Sequence, residues 1–152
     1  IGAEHVNTAI DMPLAIENLV RLRQQGHKLY LISFCGKTRA IQTKKSLMET
    51  TFDGKHMCSE LFEKMYFVKD RKYKRELCEF LKCHFMVDDR TDIQEEVAKS
   101  SCHTIPILFG ESSHSQFICA PDWNVVSNIV SSTPFFSASC PSVEIKKMIF
   151  DV

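Results

Sequence analysis

Two rhythms of apolar residues alternate along the chain. From Asp11 and Pro13 onward, Ala15, Ile16, Leu19, Val20 and Leu22 recur at helical spacing. Asp suits an N-cap, Pro suits a first turn, and Gly26 suits the left-handed position past a last turn. A near-continuous apolar run, Lys28 to Ser33, then reads as a buried strand. Thr38 to Thr50 reads as a helix with Ala40, Ile41, Lys44, Leu47 and Met48 along one side. Met65 to Val68 is a short strand, Tyr73 to Leu81 a helix with Tyr73, Leu77, Phe80 and Leu81 inward, and Phe85 to Val87 a strand. Thr91 and Gln94 have capping-box spacing before a helix carrying Ile93, Val97 and Ala98. Thr104 to Phe109 is a strand closed by Gly110, and Asp122 to Val130 a last helix with Trp123, Val126 and Ile129. Ile145 to Asp151 reads as a final strand.

Strands alternating with helices imply a mainly parallel sheet covered on both faces, an α/β class of three-layer, Rossmann-like type. Residues 1–130 form the expected core, residues 131–144 a Ser/Pro-rich linker, and residues 145–152 the strand that completes the same sheet or starts another unit. A linker of fourteen residues, at about 3.3 Å each, spans some 45 Å, so the terminal strand can reach its own sheet.

Ligands in open parallel sheets sit beyond the carboxyl ends of the strands. That rule singles out Ser33, Lys69 and Asp70, Asp88 and Asp89, Glu111 and Asp151. Two adjacent acids at a buried strand end are costly without a counter-charge, and a hard cation such as Mg²⁺ suits them. Capping of the following helix accounts for one carboxylate but not both. Ser33 has a hydroxyl, with the backbone amides of Phe34 and Cys35 beside it, suited to a phosphate oxygen or to capping the next helix. Lys74 lies in a first helical turn, against the macrodipole, where it could neutralise a phosphoryl group; Lys69 and Lys72 compete for that role.

The 19 basic and 19 acidic residues balance, which disfavours a protein that holds nucleic acid by its backbone. No apolar run is long enough to span a bilayer, and no basic start followed by an apolar stretch marks a signal peptide. Seven cysteines without regular spacing argue against a disulfide framework and for a reducing, cytoplasmic setting. His56 with Cys58, Cys78 with Cys83 and His84, and Cys102 with His103 raise a zinc-stabilised interaction domain, although none forms a CxxC pair. The first residue is Ile1, as expected for a segment or a processed chain.

The order SFCGKT after a strand, a lysine near a helix start, and FMVDDRTDI after another strand resembles the second, third and fourth motifs of haloacid-dehalogenase-like (HAD-like) hydrolases. The fourth, Val87 to Ile93, is similar to that of the 5'(3')-deoxyribonucleotidase branch. The resemblance spans about residues 12–130 and implies a HAD-like domain with little or no cap. The family's first motif is a strand ending in Asp-x-Asp. It is absent from the amino terminus, and Lys147 to Val152 resembles it in part, with Asp151 as the first Asp and no second one. A rotated order, a circular permutation, or a strand belonging to a second unit or to a neighbour's sheet, with strand exchange or a homo-oligomer, each accommodate this. The expected place is central, between the Ser33 and Asp88 strands.

The resemblance further implies Mg²⁺-dependent hydrolysis of a phosphomonoester through an aspartyl-phosphate. Asp151 would be nucleophile, Asp151, Asp88 and Asp89 metal ligands, Ser33 and Lys74 catalytic charge stabilisers, and Ser33, Phe34, Cys35 and Lys74 the phosphate site. The substrate would be a phosphorylated small molecule or macromolecule. Without a second Asp two residues past Asp151, the alternative is a catalytically incomplete binding or interaction module on the same fold.

Overall fold

A computed structural model describes residues 14–134 and 144–152. The chain divides into two compact units, Ile1–Asp70 with Met148–Val152, and Arg71–Lys147. The division falls inside the stretch read from sequence as one core. Both units are built of helices and parallel strands, as the alternating rhythms imply. Among the described residues the first unit holds a two-stranded sheet and the second a three-stranded one. Among the described residues no helix is long and apolar enough to cross a membrane.

In the first unit, α1 (Ala15–Gln24) leads through Gly26 (φ +95°) to β1 (Tyr30–Phe34). Next come α2 (Lys37–Glu49), a 3₁₀ turn (Cys58–Leu61) and β2 (Lys64–Val68), which pairs with β1 in parallel, Ser33 opposite Phe67. The proposed capping by Asp11 and Pro13 lies outside the described residues. Cys35, Ala40 and Phe67 form one buried cluster, joined by Leu31, Met65, Phe150 and Val152. Leu47 and Cys58 form a second, against Ile16, Leu31, Phe52 and Met65. Burial of a side chain such as Phe67 contributes about 1.5–3 kcal/mol. The inward face of α2 differs from the expected one. Ala40, Thr43 and Leu47 are buried, whereas Ile41 and Met48 are half exposed. Thr43 occupies the stripe between Ala40 and Leu47, and the buried arc turns away from Ile41 and Met48.

The expected strand from Ile145 to Asp151 is not formed. Residues 146–148 make a turn, and contact with the sheet is a single antiparallel bridge, Ile149 opposite Val68. The Lys69 N–H donates to the Met148 carbonyl (2.8 Å) and the Phe150 N–H to the Phe67 carbonyl (2.8 Å). These bonds satisfy backbone groups on the edge of β2 not taken by β1. Alternation sends Phe150 and Val152 to the core and leaves Asp151 exposed. The terminal segment therefore runs antiparallel beside β2, and the expected parallel position next to the Ser33 strand is not where it lies.

The second unit contains α3 (Tyr73–Leu81), β3 (Phe85–Asp88), α4 (Thr91–Val97), β4 (Ile105–Phe109), β5 (Ile118–Ala120) and α5 (Trp123–Ser132). Its strands are all parallel, in the order β3-β4-β5. Strand β5 is too short, and too little alternating, to stand out in the sequence. In α3, Leu77 and Cys78 face inward, while Phe80, expected to be buried, is 43% exposed. Asp122 caps α5, its Oδ1 accepting from the Val125 N–H at 3.0 Å.

The capping box expected of Thr91 and Gln94 is replaced by a different role. Thr91 is exposed, and the cap position is Arg90, whose side chain makes no capping bond. Gln94 is fully buried, and its Nε2 donates to the Met86 carbonyl on β3 (2.9 Å) and the Ile107 carbonyl on β4 (2.8 Å). Exchange to Gln94→Met leaves two buried carbonyls without these donors and is expected to cost about 1–3 kcal/mol in urea unfolding. An unchanged midpoint would show that the amide holds nothing.

The loop after α2 carries the clearest titration. Asp53 Oδ1 accepts from the N–H groups of Lys55 (2.9 Å) and His56 (2.7 Å), and Oδ2 pairs with His56 Nδ1 at 2.6 Å. The His56 hydrogen bonds hold the Asp53 carboxyl at about 2, below its ordinary 3.8. The same pairing raises His56 above its ordinary 6.5. The carboxylate's contribution is present above pH 3.8 and fades as pH falls through about 2. The imidazolium's contribution is complete below pH 6.5 and fades as pH rises through the raised value. The contact is therefore strongest between these limits. Titration of His56 by NMR should give a value above the ordinary one, falling back in Asp53→Asn. Identical titrations in the two proteins would refute the pairing.

Candidate functional site

The strongest polar feature lies where β3 ends. Asp88 is the last residue of that strand, and Lys74 sits in the first turn of α3. Lys74 Nζ donates to Asp88 Oδ2 at 2.7 Å, with the two side chains 8% and 6% exposed. The other carboxylate oxygen, Oδ1, accepts from the Arg90 N–H at 3.0 Å. Strand pairing with β4 fixes the Asp88 backbone, since Asp88 stands opposite Leu108 in the parallel register. Burial of an unpaired Lys or Asp costs several kcal/mol, so each charge makes the other tolerable.

Around this pair the surface is more ordinary. Asp89 is exposed. Arg90 turns its guanidinium onto Asp92, with Nε to Oδ1 at 3.0 Å and Nη2 to Oδ2 at 3.1 Å. That hydrogen bonding draws the Asp92 carboxyl below its ordinary range. Arg75 reaches Glu96 at 3.2 Å and Glu79 at 3.4 Å, which ties α3 to α4. Of the three lysines weighed from sequence, Lys74 is the buried one. Lys72 is exposed and lies over the Tyr73 ring, and Lys69, in the first unit, lies over the Phe150 ring.

The remaining sequence candidates belong to the first unit. Ser33 is buried near the end of β1, followed by Phe34, Cys35 and Gly36, which lead into α2. Burial pushes the Cys35 thiol up, against a hydrogen bond with Ser33 that lowers it. Asp151 is exposed on the terminal segment, with β2 between that segment and β1. Because Phe150 bonds to Phe67, the segment runs toward the amino end of β2, and Asp151 lies one step farther from the strand's carboxyl end. Lys44 Nζ donates to the Val152 carbonyl at 2.6 Å and helps hold this segment against α2.

The structure thus brings Lys74 and Asp88 together and keeps Ser33, Phe34 and Cys35 consecutive. A metal centre built from Asp151, Asp88 and Asp89 needs three convergent acids. Among the described residues no group of three or more His, Cys, Asp or Glu side chains is arranged to hold a metal ion. Asp88 has both oxygens engaged, by Lys74 and by the Arg90 N–H, and Asp89 and, in the first unit, Asp151 are exposed. The same absence applies to zinc ligation by the Cys/His pairs. Sequence reading missed the amide of Gln94, which capping-box spacing disguised, and the Arg90–Asp92 clamp. It also missed the packing of Cys102 and Thr104 against the end of α3, for which the clustered cysteines were the only signal. No family model, curated protein or solved structure matches the chain.

Removing one partner of the buried pair strands the other charge. Lys74→Met alone is expected to lower stability by about 3–5 kcal/mol. The double exchange Lys74→Met with Asp88→Asn keeps an acceptor for the Arg90 N–H and should recover most of that loss. A chemical-denaturation cycle measures it, and additive single effects would rule out mutual compensation.

Proposed function

We propose that the chain is a HAD-like module that binds a phosphorylated ligand without turning it over. The HAD-like part rests on the order of the serine, lysine and double-aspartate motifs, together with parallel strands alternating with helices. The observation that carries the non-catalytic part is the closed pair at the end of β3. The ammonium that would meet a phosphoryl group and the carboxylate that would meet a metal are spent on each other, at 2.7 Å and in near-complete burial. Asp151, the only candidate nucleophile from the resemblance, is exposed on an antiparallel segment.

Each unit has its own chemistry to receive a phosphate. In the first unit the Ser33 hydroxyl and the amides of Phe34 and Cys35 are neutral donors, and in the second Lys74 is a cation held in reserve by Asp88. A phosphomonoester dianion would compete with Asp88 for that ammonium, so binding is weak while the aspartate is charged. Neutralising it with Asp88→Asn frees the cation, and charge-assisted hydrogen bonds are about twice as strong as neutral ones.

A second reading, Mg²⁺-dependent phosphohydrolase, is favoured by one observation. The lysine of the third motif and the first aspartate of the fourth adjoin at a strand's carboxyl end, where ligands of parallel sheets gather. One set of assays separates the two. With p-nitrophenyl phosphate and Mg²⁺ the binding module releases no p-nitrophenol, while calorimetry with inorganic phosphate gives several-fold tighter binding to Asp88→Asn than to the wild type. Magnesium-dependent release abolished by Asp151→Asn would establish the hydrolase. No phosphate binding by either protein would end the binding proposal.

A further inference from the structure

The end of α3 holds an arrangement that the phosphate reading does not use. Lys82 follows the helix in the left-handed region (φ 53°, ψ 47°). The Cys83 N–H then donates to the Cys78 carbonyl at 2.9 Å, and the Lys82 N–H to the Glu79 carbonyl at 3.3 Å. These are the two bonds of a Schellman ending, which sets the residue two past the helix against the side chain three before its cap. Here both positions are cysteine. The single backbone hydrogen bond limits their Cα separation to less than about 7 Å, and a disulfide requires about 4.4–6.8 Å.

The surroundings are consistent with two different roles for the two sulfurs. Cys78 is fully buried, and Cys83 is the less buried of the two. A third cysteine braces them: Cys102 Sγ donates to the Cys78 carbonyl at 3.5 Å and lies 3.1 Å from Thr104 Oγ1. Thr104 Oγ1 donates in turn to the Cys83 carbonyl at 2.7 Å. Both ends of the cysteine pair are thereby held from the same side. The two thiols act on each other's acidity: the neighbouring Cys83 and then burial raise the Cys78 thiol, and the neighbouring Cys78 lowers Cys83. Of two neighbouring thiols, the lowered and less buried one reacts first.

We propose that Cys78 and Cys83 form an oxidisable dithiol whose reaction partner is a hydroperoxide. The Cys83 thiolate attacks the peroxide, a sulfur–oxygen bond forms, the oxygen–oxygen bond breaks, and the departing oxygen leaves as water or an alcohol. Cys83 is then a sulfenic acid. The Cys78 sulfur attacks it, the sulfur–sulfur bond forms, and the hydroxyl leaves as water with the Cys78 proton. Two thiols lose two electrons and two protons, and one peroxide is reduced. A thiol donor reverses the change by exchange. The site is independent of the phosphate proposal.

The test uses the full chain, reduced, freed of reductant, exposed to hydrogen peroxide, and then alkylated. Peptide mapping should find a Cys78–Cys83 disulfide, a loss of two hydrogens that dithiothreitol restores. Cys102→Ser should still form it. In Cys83→Ser, Cys78 should remain fully alkylated after the same exposure. The proposal is overturned if both thiols of the wild-type chain are alkylated after peroxide, if Cys78 pairs with Cys102 in the wild type, or if Cys83 proceeds to sulfinic acid with Cys78 still free.

Discussion

A buried lysine and a buried aspartate, each acceptable only because of the other, govern the second unit. The contact spans fourteen residues of sequence, and both groups sit where solvent cannot compensate for either. Such pairs contribute little net stability compared with apolar residues of the same shape, because desolvation offsets much of the attraction. What they provide is position. Lys74 must face the carboxyl end of β3, so the first turn of α3 is oriented, and with it the helix face that carries Leu77 and Cys78. The Arg90 N–H bond to the same carboxylate anchors the chain between β3 and α4. One carboxylate thereby fixes the ends of a strand and two helices.

The first unit is organised by packing. Phe67 stands at its centre, covered by Cys35 and Ala40 and, from the far end of the sequence, by Phe150 and Val152. The terminal segment contributes two apolar side chains and two backbone hydrogen bonds to the edge of β2. An exposed strand edge invites pairing with other chains, and a covered one does not. The role visible for this segment is therefore to close an edge, and its alternation faces the acid outward as a by-product.

Much of this was legible beforehand. Among the described residues, apolar period located each of the five α-helices and four of the five strands within a few residues, because those segments bury one face and must show it. That Asp88 needs a partner was legible because an acid after a buried apolar run requires one, and Lys74 stood out because its charge opposes the helix dipole. That these two meet was not legible, since nothing local in sequence measures a distance between a helix start and a strand end. Ile145 to Asp151 was misread for a related reason. A period-2 pattern states which side chains share a face, but not which neighbour the backbone pairs with, nor in which direction. Ile41 and Met48 were misread because a helix with scattered apolar residues supports more than one inward arc. Gln94 had a pattern suited to a cap, and only burial reveals that its amide faces two carbonyls.

That amide has a consequence for how the second sheet is assembled. Its nitrogen spans one carbonyl on each of two neighbouring strands, so it works as a gauge of their alignment. If β4 slid by a single residue against β3, the amide would meet an outward-facing side chain instead of the second carbonyl. A short helix whose own propensity is modest thus acts as the proofreader of strand register, and the carboxylate at the end of β3 inherits the accuracy of that check.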